Sequence, residues 1–200
     1  DLSISTLWGG AKHNAISREA YAIIAVPEME VSKVKGILDK MNKDFKNEYG
    51  TVDPDIVVGI KETEAGHFLS KKTADNIINY INIAPDGVQS VSKEIEGLVV
   101  SSLNLGVLEE KDNNLVFTHS VRSSVKSLKE DISNRLITLA KLCGGKAEIQ
   151  DDYPEWEYDP NSELREIAIE AYAELTGEKP EIEAIHAGLE CGLLKRKLPD

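Results

Sequence analysis

The order of elements predicted along the chain, β-β-α-β-α-β-β-α-β, is that of an α+β fold with an antiparallel or mixed sheet and helices on one face. Three observations carry the prediction. Residues 98–122 contain two alternating runs around a polar turn, as in a hairpin. Several stretches space their apolar residues by three and four, the period of an amphipathic helix. Glycine and proline clusters separate these segments.

Leu2 to Leu7 alternates apolar and polar residues and Ala20 to Val26 is apolar throughout, so two strands flank a loop holding Gly9-Gly10 and Lys12-His13-Asn14. Val31, Val34, Leu38, Met41 and Phe45 then predict a helix whose stripe faces the core, closed by Tyr49-Gly50. Ile56 to Ile60 reads as a strand. Ala74, Ile77, Ile78 and Ile81 predict a second helix, ended before Pro85-Asp86-Gly87. Leu98 to Leu108 and Leu115 to Arg122 form the hairpin around a turn region at Glu109 to Asn114. Alternation puts Leu103, Leu105 and Val107 on one face with Leu115, Phe117, His119 and Val121. The opposite face is a polar wall carrying Asn104 and Arg122. Val125, Leu128, Ile132, Leu136 and Leu139 mark a third helix, stopped at Gly144-Gly145 and followed by a short strand from Lys146 to Gln150.

Asp151 to Pro160 is acidic, aromatic and proline-bearing, which reads as a crossing and places a domain boundary near Tyr153. Leu164, Ile167, Ala168, Ala171, Tyr172 and Leu175 mark a fourth helix with Asn161 as its N-cap. Ile182 to Ile185 reads as a strand turning into a helix at Gly188, a junction that aims backbone N–H groups at an anion. Residues 154–200 form one α-β-α piece, too small to bury a core unaided. With Asp1 rather than Met at the start, this suggests a piece of a longer protein.

Thirty-five acidic against 23 basic residues give a formal charge of −12, which argues against a nucleic-acid surface. No apolar run approaches the roughly 20 residues of a membrane span, and no signal peptide is visible. Cys143 and Cys191 fit neither a disulfide framework nor a CxxC metal site, and read as reduced thiols of a cytoplasmic protein. His186 and Glu190 are four apart, but a strand position for His186 spoils the helical geometry that two metal ligands would need. Cys191 has no placed histidine partner and reads as a small core thiol. Anion recognition is the better signal: a loop amide on Asn14, a bidentate fork on Arg122 and backbone N–H groups at Gly188. Spacing alone leaves open that Arg122 is a solvated strand-end arginine and Asn14 a turn former.

The run Gly9-Gly10-Ala11-Lys12-His13-Asn14-Ala15-Ile16-Ser17-Arg18-Glu19-Ala20 resembles the "GG…NAIPREA" signature of the Xaa-His dipeptidases, with Ser17 where proline is usual. These are aminoacyl-histidine dipeptidases, similar to the cytosolic non-specific type, in the zinc peptidase clan of carnosinases and aminoacylases. Further matches are Ser102 to Val107, Val121-Arg122-Ser123, Tyr153-Pro154-Glu155-Trp156 and Ile185 to Gly192, in family order. The resemblance implies a two-part enzyme: an α/β catalytic domain with two zinc ions, and an inserted α+β lid that closes over a small peptide and can serve in a homodimer. Residues 1–153 would be most of the lid and 154–200 the return into the catalytic domain. Asn14, Arg122 and Gly188 would bind substrate oxygens, Arg122 the carboxylate. The family's zinc ligands and general base match no position in these 200 residues, so this stretch alone is expected to be inactive. The reading from another class is a non-catalytic α+β ligand-binding or dimerisation module using the same three residues.

Overall fold

The computed structural model describes residues 2–187 and 190–198. Strands β1 (Ser3–Gly9), β2 (Ala20–Ala25), β3 (Gly87–Val91), β4 (Val99–Lys111) and β5 (Asn114–Ser123) form one five-stranded sheet. Every pairing in it is antiparallel, which removes the mixed alternative. Strand β4 organises the sheet. Along one edge it carries β5 from Ser101 to Lys111, and its other edge is shared by β3 at one end and β1, through Leu108, at the other. The β4–β5 turn is shorter than the Glu109 to Asn114 region expected. Asp112 and Asn113, at φ 49° and 62°, make the two-residue turn that matches the twist of a hairpin.

Helices α2 (Lys71–Ile83) and α3 (Lys126–Leu142) cover one face of the sheet. The Ser70 hydroxyl caps α2 by accepting from Thr73 N–H. Gly144, at φ 76°, ends α3, with Gly145 N–H donating back to Ala140 C=O. Ile132 and Leu136 of α3 meet Leu103 and Val121 of the hairpin, with Ala84 alongside; Ile132 is 1% and Leu103 2% exposed.

Helix α1 (Val31–Tyr49) forms where the 3,4 spacing puts it, but its stripe is not a core face: none of its residues is buried, and Met41 is 36% exposed. The expected strand at Ile56 to Ile60 is extended chain outside the sheet. The Asn42 side-chain amide takes both hydrogen bonds that a strand neighbour would make, donating to Val58 C=O and accepting from Val58 N–H, each at 2.7 Å. The strands expected at Lys146 to Gln150 and Ile182 to Ile185 are likewise absent from the sheet. Conversely β3, short and half polar, escaped the sequence reading. Helix α4 (Glu163–Thr176) is capped by Ser162, not Asn161, with Arg165 N–H donating to the Ser162 hydroxyl. Helix α5 spans Glu190–Lys197.

The crossing at 151–155 is pinned to α3 by Lys129, whose ammonium donates to Asp152 Oδ1 at 2.6 Å and Tyr153 C=O at 2.7 Å and also pairs with Glu155. Burial opposes the charge on Lys129, but the two carboxylates outweigh it and raise its pKa.

One partly buried imidazole sits against the core. His119 of β5 shares a 3.1 Å hydrogen bond between Nε2 and Tyr80 Oη, while its Nδ1 has no partner among the described residues. Leaving a lone pair unpaired costs less than burying an orphan N–H, so the tautomer with hydrogen on Nε2 is favoured. Burial lowers the His119 pKa, with Asp86 pulling weakly the other way. The unfolded chain therefore takes up a proton near its ordinary value of about 6.5, where the folded chain still refuses it. Stability should fall as pH drops from 7 through that range. Urea unfolding at pH 7, 6 and 5 should show the decline, and His119→Gln, which keeps a partner for Tyr80 but cannot titrate, should make it shallower.

Candidate functional site

The polar face of the hairpin is shaped by a bulge. Leu103 pairs with Val121 and Leu105 with His119, but the next pairs are Val107 with Thr118 and Leu108 with Phe117. Gly106 is the extra residue. The slip moves Val107 off the core face, where unbroken alternation had put it, and brings Leu108 there instead. Val107 and Thr118 then line an open groove with Glu109, Ala11, Lys12, His13 and Asn14.

Over the bulge lies the loop 11–17 between β1 and β2. Two glycines allow the contact. Gly10 sits at φ 70° and a Cβ there would overlap the Gly106 carbonyl; a Cβ on Gly106 would overlap the His13 carbonyl. Strand β4 then holds the loop by its backbone. Asn104 Nδ2 donates to Ala15 C=O at 2.9 Å and to His13 C=O at 3.4 Å. Ser17 Oγ shares its hydrogen between the Leu105 and Gly106 carbonyls, at 2.9 and 3.1 Å. From the far side Asp86 Oδ1 accepts from Leu105 N–H at 3.2 Å. The bulge, which breaks the ladder, is thus satisfied by side chains on both faces.

Asn14 rides at the exposed middle of this loop. Arg122 stands on the polar face, as alternation predicts, and its Nη2 donates to Asn14 C=O at 3.4 Å, a long contact. The structure therefore brings Asn14 and Arg122 together. Gly188, the third residue of the expected set, lies outside the described residues. Arg122 is exposed and makes no carboxylate ion pair among the described residues.

A group that the sequence reading set aside completes the cluster. Ser102 is the cross-strand partner of Arg122, so the pleat puts both on one face. Ser102 Oγ is 2.7 Å from His186 Nε2, 84 residues along the chain. Burial lowers the His186 pKa, the neighbouring Arg122 charge lowers it further, and a backbone hydrogen bond at Val99 works against both. His186 is thus a neutral imidazole beside a guanidinium at pH 7. The available signal was Ser102 beside Asn104 on the polar face, a hydroxyl in need of a partner. Among the described residues no three His, Cys, Asp or Glu side chains are grouped so as to hold a metal ion, so no chemical step here is routed through one.

The double glycine contact makes a prediction. Gly10→Ala forces a Cβ into strand β4 at a left-handed backbone position and should cost about 2–4 kcal/mol in denaturant unfolding. Ser17→Ala removes a shared hydroxyl bond and should cost about 1 kcal/mol.

No family model matches the chain. A cytosol non-specific dipeptidase from Escherichia coli (strain K12) is 36% identical over 203 residues, an alignment covering 100% of this chain and 41% of the relative. The crystal structure of an aminoacylhistidine dipeptidase from Vibrio alginolyticus superposes with a TM-score of 0.91 at 33% sequence identity, over 99% of this chain and 41% of that one. The chain thus spans about two-fifths of the length of the relatives it matches. Over nearly its whole length the chain is similar in sequence and fold to a part of each of these two dipeptidases.

Proposed function

We propose that this chain is the substrate-holding lid, with the adjoining segment, of a dipeptidase acting on Xaa-His and other dipeptides. The observation that carries the reading is Arg122. It is an arginine without an ion pair among the described residues, in a chain with 35 acidic residues, next to a loop amide on a rigidly held turn. A guanidinium in that setting suits a planar carboxylate, and a dipeptide presents one at a fixed distance from its scissile bond. Asn14 would donate to the carbonyl oxygen, and Gly188 would add a backbone N–H. The homology to dipeptidases over the whole chain supports the same reading.

Division of labour follows. Residues 1–153 would form the lid and residues 154–200 part of the catalytic body; the exposed apolar side chains of α4, Leu164, Ile167 and Leu175, suit a helix that packs against more protein. Two zinc ions, held by residues other than those described, would polarise the scissile carbonyl and activate water. The side chains seen here bind, orient and exclude water. The name of the bacterial relative and two free cysteines, Cys143 and Cys191, support a cytoplasmic setting.

A homodimer through the lid is part of the reading. Strand β2 is the sheet's edge, and Ala20 to Val26 carries no charge to guard its unpaired backbone. The stacked rings of Trp8 and Tyr21, 5.1 Å apart, stand 40% and 53% exposed beside it. A lysine at Ile23 should convert the full-length protein from dimer to monomer in sedimentation velocity; a monomeric unsubstituted protein would remove the dimer from the proposal.

Kinetics test the central role. Arg122→Ala should lower kcat/KM for dipeptides by roughly 100-fold or more, with the loss mainly in KM, and should change little for C-terminally amidated dipeptides. Equal losses on both substrates, or none, would remove the carboxylate role. The non-catalytic module would instead bind dipeptides without hydrolysing them in the full-length protein.

A further inference from the structure

Residues 177–187, after α4, contain neither helix nor strand, and among the described residues their side-chain hydrogen bonds to the sheet come from His186, to the Ser102 hydroxyl and the Val99 backbone. Its seat on the sheet is specific. Ser102 is directly opposite Arg122, so the hydrogen bond to Ser102 brings the imidazole to the face that carries that guanidinium. We infer that the Ser102–His186 hydrogen bond is the joint that seats this segment on the polar face, and that His186 is a positioning residue for Arg122. The inference rests on the reading of Arg122 as the carboxylate ligand and adds a residue to that site.

The physical argument concerns order and charge. An arginine side chain that searches its rotamers freely loses that freedom when a ligand fixes it, which weakens binding. Arg122 has one long hydrogen bond, to Asn14 C=O, and otherwise depends on what packs against it. A neutral imidazole fixed by Ser102 supplies a wall without competing for the guanidinium donors. A carboxylate there would pair with Arg122 and take the place of the substrate; a cation would repel it. A neutral imidazole with Nδ1–H turned to the Val99 backbone and Nε2 accepting from the Ser102 hydroxyl meets both demands. The charged groups facing the ring are few: Arg122 from β5, and no carboxylate within ion-pair distance among the described residues. Below its lowered pKa the ring becomes a second cation beside Arg122 and can no longer accept from Ser102, so acid should loosen the joint.

The experiment uses the full-length protein with His186→Leu, His186→Gln and Ser102→Ala. Glutamine can still accept from Ser102; leucine cannot. His186→Leu should raise KM for dipeptides about tenfold, with kcat within about threefold, leave amidated dipeptides unaffected, and abolish the rise of KM at acid pH. His186→Gln should restore most of the lost affinity. Equal effects on free and amidated dipeptides, or no rescue by glutamine, would overturn the positioning role. Imidazole nitrogen NMR tests the joint without any turnover: the neutral Nδ1–H tautomer should be seen, and Ser102→Ala should shift its titration. An Arg122 Nε–H resonance should also broaden in His186→Leu. A His186 that titrates like a free histidine and ignores Ser102→Ala would overturn the inference even in an active dipeptidase. An unsubstituted protein without dipeptidase activity would instead refute the functional reading, and the two NMR signals would then decide the joint.

Discussion

The contact between two glycines, Gly10 and Gly106, is the constraint on which the rest of the site depends. A ten-residue loop between adjacent strands would ordinarily wander over the surface. Here it is pressed onto the middle of the longest strand at a point where neither backbone carries a side chain. The bulge that permits the approach also turns Val107 to the polar face, opens the groove and leaves strand groups for Ser17, Asn104 and Asp86 to satisfy. Geometry that would be loose on a hairpin tip becomes rigid because it borrows the sheet's order.

Much of this could be read from the sequence, and the failures have identifiable causes. Long periodic segments were legible: the hairpin, α1, α2, α3 and α4 all occur where spacing places them. Short apolar runs were not. Ile56 to Ile60 has the composition of a strand, yet no sheet edge reaches it and one asparagine, Asn42, replaces the neighbour. The bulge could not be seen because alternation assumes an unbroken period of two, and one inserted glycine shifts everything after it. Asn14 and Arg122 are singled out by residue type and motif rather than by spacing, and the fold brings the two together. In the sequence His186 offers only its spacing to Glu190, and its partner Ser102 is one polar residue among several on its face.

The two faces of the sheet have opposite economies. Beneath α2 and α3 lies a small apolar core in which a single histidine, His119, is held neutral by burial. Above, the polar face collects loop 11–17, Arg122 and His186, and there histidine neutrality follows from a neighbouring positive charge as well as from burial. Both rings avoid protonation at pH 7, one through loss of water and the other partly through company. Helix α1, held by neither face, leaves its apolar stripe half covered.

The way loop 11–17 is tethered has an evolutionary consequence. Asn104, Arg122 and the crossing glycines grip it by main-chain atoms, and among the described residues no side-chain hydrogen bond from Lys12 to Asn14 holds it in place. Those positions can be exchanged without cost to the scaffold. A lineage could thus retune which ligands are welcomed there by single substitutions, while the anchoring residues stay fixed.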